Sequence, residues 1–180
     1  CPRLELPGSW DEYLKVLPQR DRHELRRKLR HLGDRRQVRW YYLVSAQVKP
    51  EDMDDFFRLF RLSRDEKDLF LDSEMERFFR DMAVALGQAS YLRLFFLEVE
   101  GKRVSTALCF DYNDDWLLYN SGFDPEYAWL SVGLLLKALC IQMAIDAGKK
   151  RFDFLRGQEG YKYDLGGKDM TIHRCTIEKA

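Results

Sequence analysis

Residues 91–155 read YLRLFFLEVEGKRVSTALCFDYNDDWLLYNSGFDPEYAWLSVGLLLKALCIQMAIDAGKKRFDFL, and this stretch decides the fold. Tyr91 to Glu100 and Arg103 to Tyr112 are two β-branched and aromatic runs separated by Gly101-Lys102, a pattern that predicts a hairpin. Asn113-Asp114-Asp115 predicts a second turn and Trp116 to Ser121 a third strand. After Gly122-Phe123-Asp124-Pro125, the run from Ser131 to Ala147 is apolar nearly all round, with Lys137, Gln142 and Asp146 as its polar interior residues. A helix of that composition lies buried against a sheet. Gly148 ends it, and Arg151 to Leu155 predicts a short strand.

Working outward, Ser9-Trp10-Asp11-Glu12 is a capping box that opens a short helix ended by Pro18. A second helix runs from about Asp21 to Gly33 with Leu25, Leu29 and Leu32 as a thin apolar stripe. Gln37 to Ala46 predicts a strand. Pro50 opens a helix whose Met53, Phe56, Phe57 and Phe60 follow the i, i+3, i+4, i+7 spacing. Ser73-Glu74-Met75-Glu76 opens another, with Met75, Phe78, Phe79, Met82 and Leu86 on one face and Gly87 at its end. Tyr161 to Leu165 predicts a helical turn stopped by Gly166-Gly167, and Met170 to Ile177 a last strand. Hairpins followed by a β-α-β crossover predict an α/β domain with a mixed sheet and helices on both faces.

The chain has 180 residues, 46% of them hydrophobic and 14% aromatic, which excludes a disordered protein. Acids and bases balance at 30 each, so net charge selects no partner. The charge is segregated, however. Ten Lys/Arg face three acids between Lys15 and Arg39, whereas ten acids face six bases between Glu51 and Arg80. Cys1, Cys109, Cys140 and Cys175 form no CxxC, and His23, His31 and His173 are dispersed, so no metal site is expected. Val132 to Ile145 is too short to cross a membrane, and no signal peptide is read; the expected location is a reducing cytoplasm. The abrupt start at Cys1-Pro2-Arg3 reads as the point where a preceding domain has been removed.

Two places carry candidate chemistry. Ser131, Val132 and Gly133 open the buried helix directly after a strand, where free N–H groups and the macrodipole favour an anion. An ordinary N-cap with a glycine for close packing is the alternative. Asp153, Arg156, Glu159 and Lys162 cluster after the short strand, at the carboxyl end where open α/β sheets place functional residues. Pairing of Arg156 with Asp153 or Glu159, merely pinning the loop, is equally open.

The run Gly122-Phe123-Asp124-Pro125-Glu126-Tyr127-Ala128, then Leu130-Ser131-Val132-Gly133, then Phe152 to Tyr163 (FDFLRGQEGYKY), resembles the CelD-like acetyltransferase family of the GNAT superfamily. So does the entry segment, Leu6 to Trp10 followed by Arg26-Arg27-Lys28-Leu29-Arg30, and the similarity spans nearly the whole chain. Proteins of that family are associated with cellulose and exopolysaccharide synthesis and are similar to Fem-type aminoacyltransferases, which carry two GNAT lobes. The resemblance implies a basic helical entry segment at 1–36, a GNAT domain at 37–180 and a companion amino-terminal lobe. It implies transfer from acyl-CoA (acetyl-CoA) to an amine acceptor, an amino sugar or a cell-envelope or exopolysaccharide precursor. Ser131, Val132 and Gly133, with Leu118 and Asn120 on the third strand, are then the candidate acyl-CoA contacts. Tyr161 and Tyr163 are candidate acids for the leaving thiolate, Asp153 and Glu159 candidate proton acceptors, and Arg156 and Lys162 candidate substrate contacts. Ordinary GNAT enzymes carry Gln/Arg-x-x-Gly-x-Gly/Ala before the long helix; here Tyr127 to Gly133 holds one glycine. Two further readings stand beside this one: a Fem-like transferase using aminoacyl-tRNA, with Arg20 to Arg36 on phosphates, and a lobe that docks substrate without catalysis.

Overall fold

The computed structural model describes residues 1–35, 37–44, 47–173 and 175–177. Strands β1 (Pro2–Glu5), β2 (Val38–Val44), β3 (Leu92–Val99), β4 (Lys102–Tyr112), β5 (Asp115–Phe123), β6 (Arg151–Asp153) and β7 (Lys168–Asp169) form one sheet in the order β2-β3-β4-β5-β6-β1-β7. Every neighbouring pair is antiparallel except β5 with β6, which run parallel. Helices α1 (Trp10–Val16), α2 (Gln19–Gly33) and α6 (Val132–Asp146) pack on one face. Helices α3 (Pro50–Leu62) and α5 (Ser73–Gln88) pack on the other. Two short helices, α4 (Asp65–Phe70) and α7 (Gly160–Asp164), border the carboxyl end of β5.

Local chemistry explains most of these elements. Val99 pairs with Lys102 across a two-residue turn in which both Glu100 and Gly101 have positive φ, the tight hairpin geometry that suits strand twist. The turn is therefore Glu100-Gly101, one residue earlier than expected. Ser9 accepts from Glu12 N at 3.3 Å to cap α1. At α5 the capping residue is Asp72, accepting from Met75 N at 2.8 Å, with Ser73 already inside the helix. Helix α6 is buried on nearly every side, Lys137 included. One glycine is dictated by close approach: a Cβ on Gly122 would meet the Leu59 carbonyl oxygen at 2.4 Å, so β5 and α3 touch backbone to backbone.

The sequence expectations are met for the hairpins, for the crossover through α6 and for the mixed sheet. The differences lie at the margins. Strand β2 ends at Val44, and Ser45 and Ala46 lie outside the described residues. Strand β6 stops at Asp153, because Phe154 donates to Pro2 O and Leu155 turns to φ +56°. The expected last strand over Met170 to Ile177 is not formed among its described residues; β7 is only Lys168–Asp169, and Met170, Ile172 and Ile177 are exposed. Strand β1 was not expected. It pairs with β6 and β7, puts Leu4 into the core and ties the entry segment 1–36 to the sheet, while Leu14, Leu17, Leu25 and Leu32 enter the same core. Among the described residues no helix is long and apolar enough to cross a membrane.

Candidate functional site

The parallel pairing of β5 with β6 covers only Asp115–Arg151, Trp116–Phe152 and Leu117–Asp153. Beyond Leu117 the two strands part, and the edge of β5 from Leu118 to Ser121 becomes the wall of a cleft of about 390 Å³. The register of β4 with β5 also shifts there, Cys109 opposing Leu118 and Leu108 opposing Asn120, so Tyr119 is the extra residue of a bulge. Bulges bend a strand and re-aim its groups, and they concentrate beside active sites. The amino end of α6, the turn after α3 and the segment before α7 close the other sides.

Nine of the residues singled out from the sequence line this cleft: Leu118, Asn120, Ser131, Val132, Gly133, Arg156, Glu159, Tyr161 and Lys162. Asp153 and Tyr163 do not. Asp153 lies in the sheet, where its carboxylate takes two hydrogen bonds from Arg3, at 2.9 and 3.1 Å, and one from Leu155 N. Tyr163 donates to Asp169 Oδ1 at 2.9 Å, and that bond raises its pKa above the usual phenol value.

Ser131 sits at φ +56°, ψ +31°, a left-handed conformation uncommon outside glycine, asparagine and aspartate, and its hydroxyl does not cap α6. The N–H groups of Val132 and Gly133 have no backbone acceptor among the described residues. Gly133 serves close packing: a Cβ there would stand 2.8 Å from Phe123 Cδ1. The glycine therefore answers to Phe123 as well as to any ligand.

The expected pairing of Arg156 with Asp153 or Glu159 is absent among the described residues. Glu159 Oε2 lies 2.9 Å from Lys162 Nζ, and Lys162, fully buried, also donates to the carbonyls of Arg156 at 2.6 Å and Gly157 at 3.3 Å. Partial burial pushes the Glu159 carboxyl up, but the Lys162 bond, a backbone bond and the charges of Lys162 and Arg64 outweigh it, so its pKa is lowered. A carboxylate so held is a weak base near neutrality. Tyr161 packs beside Phe154 in the cleft, and burial, with the Glu159 charge behind it, raises its phenol well above the usual value.

Three cationic residues of the cleft were not among the candidates: Arg64, Lys67 and Lys137. Lys137 rises from the second turn of α6 with its Nζ 2.9 Å from Gly133 O and 4.7 Å from the Tyr161 ring centre. Burial, reinforced by the charge of Lys67, pulls its pKa down to about 8. Lys67 donates to Ser121 O on the open edge of β5 and lies 4.5 Å from the Phe60 ring centre. Burial, then the Arg64 charge, brings it to about 8 as well. Lys137 had one sequence signal, a charge inside an apolar helix; Arg64 and Lys67 had none. Another groove, of about 530 Å³ between α3 and α5, carries none of the candidate residues.

A mixed sheet whose parallel central strands splay around the amino end of a buried helix defines a GNAT-type fold. The family model described as acetyltransferase (GNAT) domain matches residues 19–163, and the chain belongs to that family. No curated protein matches the sequence. Among solved structures the chain is similar to FemX, with TM-score 0.71, 13% identity, and coverage of 93% of this chain and 58% of that one. It is also similar to the C-terminal DUF2156 domain of an Agrobacterium fabrum protein, with TM-score 0.61, 13% identity and coverage of 93% and 56%. An aminoglycoside acetyltransferase from an uncultured soil metagenomic sample, in complex with sisomicin, gives TM-score 0.51, 15% identity and coverage of 79% and 97%. The chain thus spans a little over half the length of the FemX chain and of the Agrobacterium fabrum C-terminal domain.

Proposed function

We propose that this domain transfers an acyl group from acyl-CoA to an amine, with the donor's arm lying along the open edge of β5. The observation that carries the reading is the parting of β5 and β6 after Leu117 and Asp153. It leaves a slot with strand edge on one wall, the amino end of α6 at one end and cationic side chains along its length. A donor with an amide-bearing arm and a phosphate head is the complement of such a slot. The CelD-like resemblance supports an amino sugar or an envelope or exopolysaccharide precursor as acceptor.

The chemistry is attack of the neutral amine on the thioester carbonyl, formation of the C–N bond and loss of one proton from the attacking nitrogen to solvent. The C–S bond then breaks and the thiolate departs, to be protonated. A backbone N–H near the Tyr119 bulge would stabilise the oxygen that gains charge. Tyr161 is the candidate proton donor to the thiolate because it is the phenol of α7 that lines the cleft. Burial keeps it protonated but also makes it a weaker acid, so its contribution rests on position rather than on pKa. Asp153 is committed to Arg3 and Tyr163 to Asp169, so neither enters this scheme.

The test is a thiol-release assay with acetyl-CoA and a panel of amines, alongside calorimetry with CoA. With an accepted amine, Tyr161→Phe should lower kcat by roughly 10²-fold or more while leaving KM for acetyl-CoA within about twofold, the signature of an interaction made only in the transition state. Full kcat in the Phe variant would remove Tyr161 from the mechanism. Failure of the wild-type domain to bind CoA at all would remove the reading.

A further inference from the structure

We propose that Lys67 and Lys137 form an anion-binding floor in the cleft, and that the group seated there is a phosphate or carboxylate of the substrate. The inference rests on the cleft being the substrate site. The cleft carries a charge imbalance. Arg64, Lys67, Lys137, Arg156 and Lys162 all line the cleft, against the single carboxylate of Glu159. That carboxylate is already engaged by Lys162. Among the described residues no carboxylate lies within ion-pairing distance of Lys67 or Lys137.

Lys137 is the more telling of the two. It is 7% exposed, and its ammonium has one protein acceptor among the described residues, the carbonyl of Gly133. Two of its N–H donors are left to whatever enters the cleft. A buried cation without a counter-ion costs free energy, and proteins retain one where a ligand supplies the charge. Lys67 reaches the same cleft from α4, anchored on Ser121 O, and its charge is felt at Lys137; the Glu159 carboxylate acts on Lys67 only from beyond ion-pairing distance. Two cations that repel each other and share a cavity form a receptor for an oxyanion between them. Because Lys137 folds back to Gly133, its ammonium lies beside the first turn of α6, where the N–H groups of Val132 and Gly133 are also without backbone acceptors.

Two sources could supply the oxyanion: the phosphates of the acyl donor or a carboxylate on the acceptor. Calorimetry on the full chain with inorganic diphosphate, malonate, CoA and phosphate-free pantetheine separates them. Lys137→Met and Lys67→Met keep the aliphatic stems and remove the charges. Each should weaken diphosphate or malonate binding at least tenfold. If CoA weakens in parallel while pantetheine does not, the donor's phosphates occupy the floor. If malonate weakens and CoA is unchanged, the acceptor carries a carboxylate. Either result supports the proposal. Should Lys137→Met fail to fold, Lys67→Met alone decides, since Lys67 is only half-buried, within a short helix. Wild-type binding of neither small anion, or equal binding by wild type and the folded variants, overturns the floor. Loss of CoA binding with retained anion binding would instead sink only the acyl-CoA reading.

Discussion

Lys137 shows how one side chain can carry both a packing role and a ligand role. Its stem crosses the buried face of α6, and its ammonium is held among Tyr161 of α7, Lys67 of α4, Arg64 before α4, Cys140 on its own helix and Cys109 of β4. Burial, then the like charges of Lys67 and Arg64, favour the neutral amine, hence the pKa near 8; the two thiols act the other way. An anion stabilises the ammonium, so the bound state holds a proton that the free state begins to lose above about pH 8. Affinity for malonate, whose carboxylates stay ionised throughout, should therefore be highest below pH 8. It should fall by roughly tenfold or more between pH 7.5 and 9.5, and Lys137→Met should make that profile shallower, leaving the slope contributed by Lys67, whose pKa is also about 8. A pH-independent affinity in calorimetry would show that Lys137 does not touch the anion. The sequence revealed this residue as a charge in an apolar helix but not its purpose, because helical spacing cannot say that the second turn of α6 faces a splayed strand. Nine of the eleven candidates reached the cleft because strand ends and helix starts are legible. Asp153 did not, since its partner Arg3 lies on a strand of four residues that has no alternation long enough to see.

Elements are where the sequence was read best, and where its limits have a physical cause. Long runs with clear periods, β3, β4, α3 and α6, bury many side chains each, so their pattern is strong; α5 buries only Phe79, Ala83 and Gly87, and Phe78, expected on its apolar face, is exposed. Strands β1, β6 and β7 have two to four residues and are specified by their neighbours' hydrogen bonds rather than by their own side chains. The loop into α6 is the instructive case. Its single glycine departs from the usual glycine pattern before this helix, and the contact made at Gly133 is with Phe123 on β5. Gly133→Val should thus destabilise the domain by about 1–3 kcal/mol through overpacking, apart from any effect on ligands. In urea unfolding, the pair Gly133→Val with Phe123→Leu should recover at least half of that loss. If the single variant unfolds like wild type, the ring yields freely, and any loss of CoA affinity in it then reports on the ligand alone.

Across the whole molecule the charges cancel, 30 against 30, yet they are distributed so that two basic regions exist, one inside the cleft and one along α2. The two differ in physical setting. Arg26 and Arg30 stand exposed on α2, whereas Lys137 is buried and Lys67 half-buried. Exposed charges are screened within about 8 Å at physiological ionic strength, while charges lining a low-dielectric cleft are screened far less. The cleft, not α2, should therefore dominate recognition of a small anionic substrate. The double reversal Arg26→Glu with Arg30→Glu should leave CoA and diphosphate affinities within about twofold of wild type at 0.15 M salt, with the fold intact by circular dichroism. A tRNA donor would give the opposite pattern, because binding through phosphates releases counter-ions and falls steeply with salt. Electrophoretic mobility of a tRNA mixture at 0.05 and 0.2 M salt measures this directly. A steep salt dependence in the wild type, abolished by the α2 reversal while CoA affinity stays the same, would move the acyl donor from acyl-CoA to aminoacyl-tRNA. It would also turn α2 from a solvated face into the donor's docking surface.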